Sequence, residues 1–273
     1  MILCNISHFL SKSKTHKRLI GVRKMERNNK SVLLITGAID IQRSNIPFTR
    51  ISDTQIRLKQ YLQSIDYALR KYNSIDKVVF VENTNFSYDY SVFHRLAKEY
   101  GKEFEVLNFQ GNIEKTVLHG KGFGEMECIN YAIKNSKLLG LSETFIKLTG
   151  RVQVSNFDYV IRSAYGCNSF YAIDTGVFPY VETILYRANK IFFQKYLYDV
   201  GNLVFDEKKM YLERVLYQKL HELAKQHSVG SFRAYRFLKG LSASTGKNYA
   251  TKITYKISNT VYALFHKFDI NHQ

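Results

Sequence analysis

GKGFGEMECINYAIKNSKLLGLSETFIKLTGR, residues 120–151, is the stretch whose reading decides the fold. Gly120, Gly122 and Gly124 flank Lys121 and Phe123, and the amphipathic run behind them predicts a helix over about 126–139. A short apolar run follows and predicts a buried strand over 144–149, which delivers Thr149, Gly150 and Arg151 to its carboxyl end. Glycine tolerates positive φ and close backbone approach, so a turn of this kind can bring peptide N–H groups and a lysine against a phosphate. Most glycines in such a turn only make the turn. The arginine placed at the strand end just after the same helix raises the case for a site, because ligands of open α/β sheets bind beyond the carboxyl ends of the strands.

Outward from this stretch, strand and helix alternate. SVLLITGAID (31–40) is an apolar, β-branched run ended by Gly37 and Asp40, and KVVFVEN (77–83) and FEVLNF (104–109) repeat the pattern. Between them, residues 53–72 carry Ile56, Leu58, Leu62, Ile65 and Leu69 near helical spacing behind Asp53, a suitable N-cap. FHRLAKEYG (93–101) predicts a helix stopped at Gly101. This order predicts an α/β fold: a Rossmann-type core whose mainly parallel central sheet is flanked by helices and joined by right-handed crossovers. The second half is less regular. Strand or helix-and-strand pieces are expected over 157–181, helices over 182–199 and 207–227, a loop at 240–249, and a C-terminal helix with amphipathic character over 251–273.

The 273 residues suffice for one large domain with a sizeable core, and 45% hydrophobic and 14% aromatic content marks a folded chain. Residues 1–30 read as a basic, poorly ordered leader, with Met25 a second candidate start; 31–151 and 152–250 read as two halves of one domain. Cys4, Cys128 and Cys167 have no metal-ligand spacing and read as reduced thiols, Cys128 within a helix core. The net charge of +17 predicts attraction to polyanions. No arginine-rich arm, helix-turn-helix or zinc motif supports specific nucleic-acid binding, so phosphate-bearing substrates and an anionic membrane surface are the better partners. No apolar run reaches the roughly 18 residues of a membrane span. The expected location is cytoplasmic, with peripheral attachment to the inner face of the membrane through the basic, aromatic tail.

LLITGAID (33–40), FVENTN (80–85), GKGFGE (120–125), YAIKNSKLL (131–139) and FIKLTGR (145–151), followed by YAIDTGVF (171–178), FDEKKMYLERVLY (205–217) and GLSASTGKNY (240–249), appear in an order that resembles bacterial surface-polysaccharide glycosyltransferases of the GT-A type. The resemblance spans about residues 31–250 and implies a nucleotide-sugar donor, a saccharide or lipid-linked acceptor, and a role in capsule, O-antigen or lipooligosaccharide assembly. It also implies that the ends of the first two strands, at Thr36, Gly37 and Asn83, hold the nucleoside, and that Lys121, Gly122, Thr149, Gly150 and Arg151 lie at the diphosphate. Where that family carries Asp-x-Asp for a divalent cation, this chain has Thr149-Gly150-Arg151. No metal ligand is therefore assigned, Mg²⁺ or Mn²⁺ is left open as cofactor, and Arg151 with Lys121 is expected to take over part of the cation's work.

Two carboxylates stand as catalytic candidates for deprotonating an acceptor hydroxyl. Asp174 interrupts the apolar run FYAIDTGVF, where a carboxylate is costly unless it is paired or serves a site. Glu213 belongs to a helical pattern and otherwise reads as a solvated helix face; Glu125 reads as an acid in a helix's first turn. The histidines form no i, i+4 pair and no HExxH. Two alternatives stay in play: a nucleotidyltransferase or other phosphate-handling α/β enzyme, although no GxxxxGK[ST] loop is present, and a basic nucleic-acid-binding module.

Overall fold

The computed structural model describes residues 31–41, 51–173 and 178–240. The basic leader, Asp174, the loop beyond Gly240 and the amphipathic tail lie outside the described residues. Strands β1 (Val32–Gly37), β2 (Lys77–Glu82), β3 (Glu103–Asn108) and β4 (Thr144–Thr149) are the four apolar runs of the first half. With β6 (Ser169–Ile173) and β7 (Tyr180–Asn189) they form a six-stranded sheet of order β3-β2-β1-β4-β7-β6. The four early strands run parallel, and β7 is antiparallel to both β4 and β6. β5 (Val152–Val154) and β8 (Leu238–Gly240) make a separate antiparallel pair.

Alternation along the strands divides the core between two layers. Leu33, Ile35, Val78, Phe80, Ile146 and Leu148 face one side, packing with α1 (Thr54–Lys71) and α2 (Ser91–Glu99). Val32, Leu34, Val79, Val81 and Phe145 face the other, against Met126, Ile129 and Ala132 of a long helix and against the C-terminal helices. A strand covered on both faces has little need of polar residues, which is why β1 and β2 read as apolar runs and β4 as one broken only at Lys147. Helix α1 begins where Asp53 caps it, its carboxylate accepting from the Ile56 N–H at 2.8 Å.

Two expectations are corrected. Residues 182–199 are not one helix: β7 occupies Tyr180–Asn189, and only Lys190–Tyr196 is helical. Val181, Ile184, Leu185 and Ala188 fall at the i, i+3, i+4, i+7 spacing of a helix face, so the pattern fits either period. Placement between two strands, with β-branched Val181, Thr183 and Ile184, decides for the sheet. The second correction concerns the glycines. α3 (Ile113–His119) ends at Gly120, and α4 (Lys121–Asn135) starts at once, so Gly122 and Gly124 lie inside a helix rather than in a turn. A short helix α5 (Lys137–Gly140) then leads into β4. The remaining helices are α6 (Phe157–Arg162), α7 (Lys190–Tyr196) and α8 (Leu212–Ala224).

Among the described residues no helix is long and apolar enough to cross a membrane.

Candidate functional site

β1 and β4 are neighbours, yet the chain leaves β1 toward β2 and returns to β4 only after β3. Connections therefore diverge between their carboxyl ends, the place where open α/β sheets leave a crevice. A cavity of about 340 Å³ opens there. It is lined by Thr36 and Gly37 of β1, Asn83 beyond β2, Lys121 and Gly122 of α4, Thr149 and Arg151 at the end of β4, and Glu213 of α8. Residues proposed separately from sequence for donor and acceptor are thus brought together. Gly150 does not line the cavity. Its N–H donates to the Thr36 carbonyl at 3.0 Å, and a Cβ there would overlap that oxygen and lie 2.7 Å from the Tyr61 ring. Gly150→Ala is therefore expected to cost about 1–3 kcal/mol of stability through overpacking, read as a lower urea midpoint at unchanged m-value.

One part of the wall is cationic. Arg57, in the first turn of α1, is buried, and so is Arg151. The Arg57 guanidinium donates through Nε to the Ala38 carbonyl at 2.8 Å, through NH1 to the Ile51 carbonyl at 3.0 Å, and through NH2 to the Tyr61 hydroxyl at 3.3 Å. Arg151 donates through NH1 to Gln60 Oε1 at 3.0 Å. Neither arginine belongs to an ion pair among the described residues. Burial lowers the pKa of Arg57; Tyr61 opposes that, and the charge of Arg151 adds to it. Arg57 escaped the sequence reading because charged residues are common on surface helices. Its signal was position: Arg57, Tyr61, Ser64, Ile65 and Ala68 share the buried stripe of α1.

A second part of the wall is acidic. Lys147, midway along β4, is fully buried, and its ammonium pairs with Glu125 of α4 while donating to Thr149 Oγ1 at 2.9 Å and to the Thr183 carbonyl of β7. The Thr183 hydroxyl donates to Glu213 Oε1 at 3.4 Å. Burial pushes the Glu213 carboxyl above its ordinary value; its own backbone N–H pulls it down, Glu125 pushes it up, and Lys121 and Lys147 pull it down. Glu125 is therefore more than an acid in a helix's first turn: it is the partner of a buried lysine. Lys147 was overlooked, although a lysine inside FIKLTG is a polar interruption of an otherwise apolar strand.

The start of α4 is arranged differently from the expected phosphate cradle. The Lys121 N–H donates to Asp206 Oδ2 at 3.3 Å, so a carboxylate of this chain already sits at the helix N-terminus. Gly120 takes φ +100°, and any Cβ there would collide with Asp206. Burial raises the Asp206 carboxyl, while the charge and N–H of Lys121 lower it. Gly122 and Gly124 serve packing, the first against Leu212 of α8 and the second against Asn83 and Thr116. Asn83 Nδ2 in turn donates to the Gly124 carbonyl at 3.3 Å, which ties the end of β2 to α4.

The loops at the mouth are held by Glu82, also absent from the sequence reading. Its carboxylate accepts from the N–H groups of Ile39 at 2.8 Å, Thr84 at 3.0 Å and Phe86 at 3.0 Å, fixing the segments that follow β1 and β2. Asp40, at the same mouth, donates its N–H to Thr84 Oγ1 at 3.0 Å and accepts from Thr54 Oγ1 at 3.1 Å. Asn85 stands at φ +53°, which suits a turn residue. Cys128 is a free, buried thiol in α4, and Cys167 is free and exposed.

Among the described residues no group of three or more His, Cys, Asp or Glu is placed to hold a metal ion. Glu125 is engaged by Lys147, Asp206 accepts from the N–H at the start of α4, and Arg151 puts a positive charge on the wall of the same cavity. The described residues do not fit a divalent metal.

No protein-family model matches the chain, and no curated protein matches it. Among solved structures, a putative glucose-1-phosphate thymidylyltransferase from Bacillus anthracis is similar at 11% identity and TM-score 0.43, over 85% of this chain and 95% of that one. The core-mannan synthase A of Aspergillus fumigatus, in its Mn/GDP form, is similar at 10% identity and TM-score 0.41, over 88% and 86%. A nucleoside-diphosphate-sugar pyrophosphorylase from Vibrio cholerae is similar at 12% identity and TM-score 0.38, over 70% and 88%. These are loose overlays, and the functional reading rests on the cavity's own residues.

Proposed function

We propose that this chain is a glycosyltransferase that moves a sugar from a nucleotide-diphosphate donor to a hydroxyl of a saccharide or lipid-linked acceptor in bacterial surface polysaccharide assembly. The observation that carries the reading is one cavity, at the sheet's switch point, with two buried arginines that form no ion pair among the described residues on its wall and the half-buried Glu213 carboxyl, of raised pKa, among its residues. In a single displacement the acceptor oxygen bonds to the anomeric carbon as the bond from that carbon to the diphosphate oxygen breaks. Glu213 takes the hydroxyl proton, and the charge growing on the diphosphate is met by Arg151 and Lys121. No step is routed through a metal ion. The net charge of +17 agrees with a cytoplasmic enzyme working beside an anionic membrane.

The test is a panel of UDP-, GDP-, CMP- and dTDP-sugars with the full chain. One nucleotide class is expected to raise Tm, by about 2.7 kcal/mol of stabilisation at a hundredfold excess over Kd, and to release free nucleotide when acceptor is added. Silence across the panel together with salt-dependent RNA binding would overturn the reading. So would pyrophosphate release from a nucleoside triphosphate and a sugar phosphate, the mark of a nucleotidyltransferase.

A further inference from the structure

We infer that Arg57 and Arg151 form an anion subsite of their own, built for a diphosphate, and that the backbone N–H groups at the N-terminus of α4 are not the anion-binding element, Lys121 contributing only its side-chain charge. This rests on the donor reading above and assigns the part of the cavity that its charged group occupies. Four observations lead to it. Both arginine residues are more than nine-tenths buried, Arg57 at 5% exposure and Arg151 at 6%. Neither forms an ion pair among the described residues, and the charge of Arg151 makes that of Arg57 harder to keep. Glu82 is near enough to favour the Arg57 charge but forms no ion pair with it, so two like charges held largely out of water remain at a cost that an incoming anion offsets. Both line the same cavity.

The donors are unequally committed. Arg57 gives its Nε–H, both NH2 hydrogens and one NH1 hydrogen to Ala38, Ile51 and Tyr61, so it contributes fixed charge more than fresh hydrogen bonds. Among the described residues Arg151 spends one of its five N–H groups, on Gln60, and offers the others to a ligand. A planar fork with free donors, backed by a second immobile cation, matches phosphate oxygens better than a point charge does. The competing element is already satisfied. Asp206 accepts from Lys121 N–H at the start of α4, and Gly120 has no side chain that would keep it out.

The experiment is calorimetric titration of the full chain with inorganic pyrophosphate, orthophosphate and a nucleoside diphosphate, across a series of salt concentrations. Pyrophosphate is expected to bind the wild type, more tightly than orthophosphate and more weakly as salt rises. Arg151→Met is expected to raise its Kd about 10–100-fold, the loss of one or two charge-assisted hydrogen bonds. Arg57→Lys keeps the charge and serves as the folding-safe partner to Arg57→Met; it is expected to bind nearly as wild type, while Arg57→Met weakens binding. Asp206→Asn is expected to leave pyrophosphate binding within about twofold. The inference is overturned if wild type ignores pyrophosphate, if Arg151→Met binds it unchanged, or if Asp206→Asn alone creates tight binding. Nucleotide-sugar turnover without a pyrophosphate response would sink this subsite and leave the donor reading standing. A pyrophosphate response that depends on the arginines, with no response to any nucleotide sugar, would do the reverse.

Discussion

Glu213→Gln is expected to lower kcat by about 10²–10⁴-fold while the donor still raises Tm as it does for the wild type. The substitution keeps size and the hydrogen bond from Thr183, and removes only the capacity to accept a proton from the acceptor. The pH dependence carries a second signature. Burial holds the Glu213 carboxyl above its ordinary value, so it keeps its single proton to a higher pH before it can act as a base. Activity of the wild type should therefore be full above that raised pKa and fall as pH drops through it, at a higher pH than an ordinary glutamate would give. The residual activity of Glu213→Gln should lack that acidic limb. A variant that retains both rate and limb would remove Glu213 from the chemistry.

Lys147→Ala is expected to lose about 3–5 kcal/mol of stability, the largest effect of any single change proposed for this chain. The ammonium is fully buried and bridges α4, β4 and the start of β7 through Glu125, Thr149 and Thr183. Truncation leaves the half-buried Glu125 carboxylate without its partner and opens a void beside it at the fully buried position. Pairing Lys147→Met with Glu125→Gln removes both charges and keeps the volume, and should recover most of the loss, because apolar or neutral replacements of a buried pair are often close to neutral. Urea midpoints of the three proteins decide the matter. If Lys147→Ala unfolds at the wild-type midpoint, the buried pair is not holding these elements together.

Legibility varied along the chain for physical reasons. β1, β2 and β4 could be read because strands buried on both faces are almost wholly apolar, while the edge strand β3, with Glu103 and Glu105, was read from its core of Phe104, Val106 and Leu107. Asp53 was readable because its capping bond joins residues three apart. β7 was not, since its apolar positions satisfy a helical period and only its neighbours in the sheet choose between the two. The glycines of GKGFGE were assigned to a turn because local sequence shows flexibility, whereas the structure uses two of them for close packing against Leu212 and Asn83, distant in sequence. Arg57, Glu82 and Lys147 had the same property: each is a charged residue whose position on a buried face becomes visible only when a pattern of apolar neighbours is read around it. Glu213 was placed in a helix correctly, but its burial and its proximity to Thr183 come from contacts no spacing encodes.

The antiparallel ladder between β4 and β7 places Leu148 opposite Leu185, and so sets where Thr183 emerges at the sheet's edge. Side chains on a strand change sides with every step, so a slip of one position would turn the Thr183 hydroxyl away from α8. Glu213 would then lose that donor even though every residue of the cavity was still present. On the proposed role of Glu213, the alignment of one pair of strands becomes a catalytic parameter, and substitutions far along β7 that loosen it would act on chemistry without touching a reacting group.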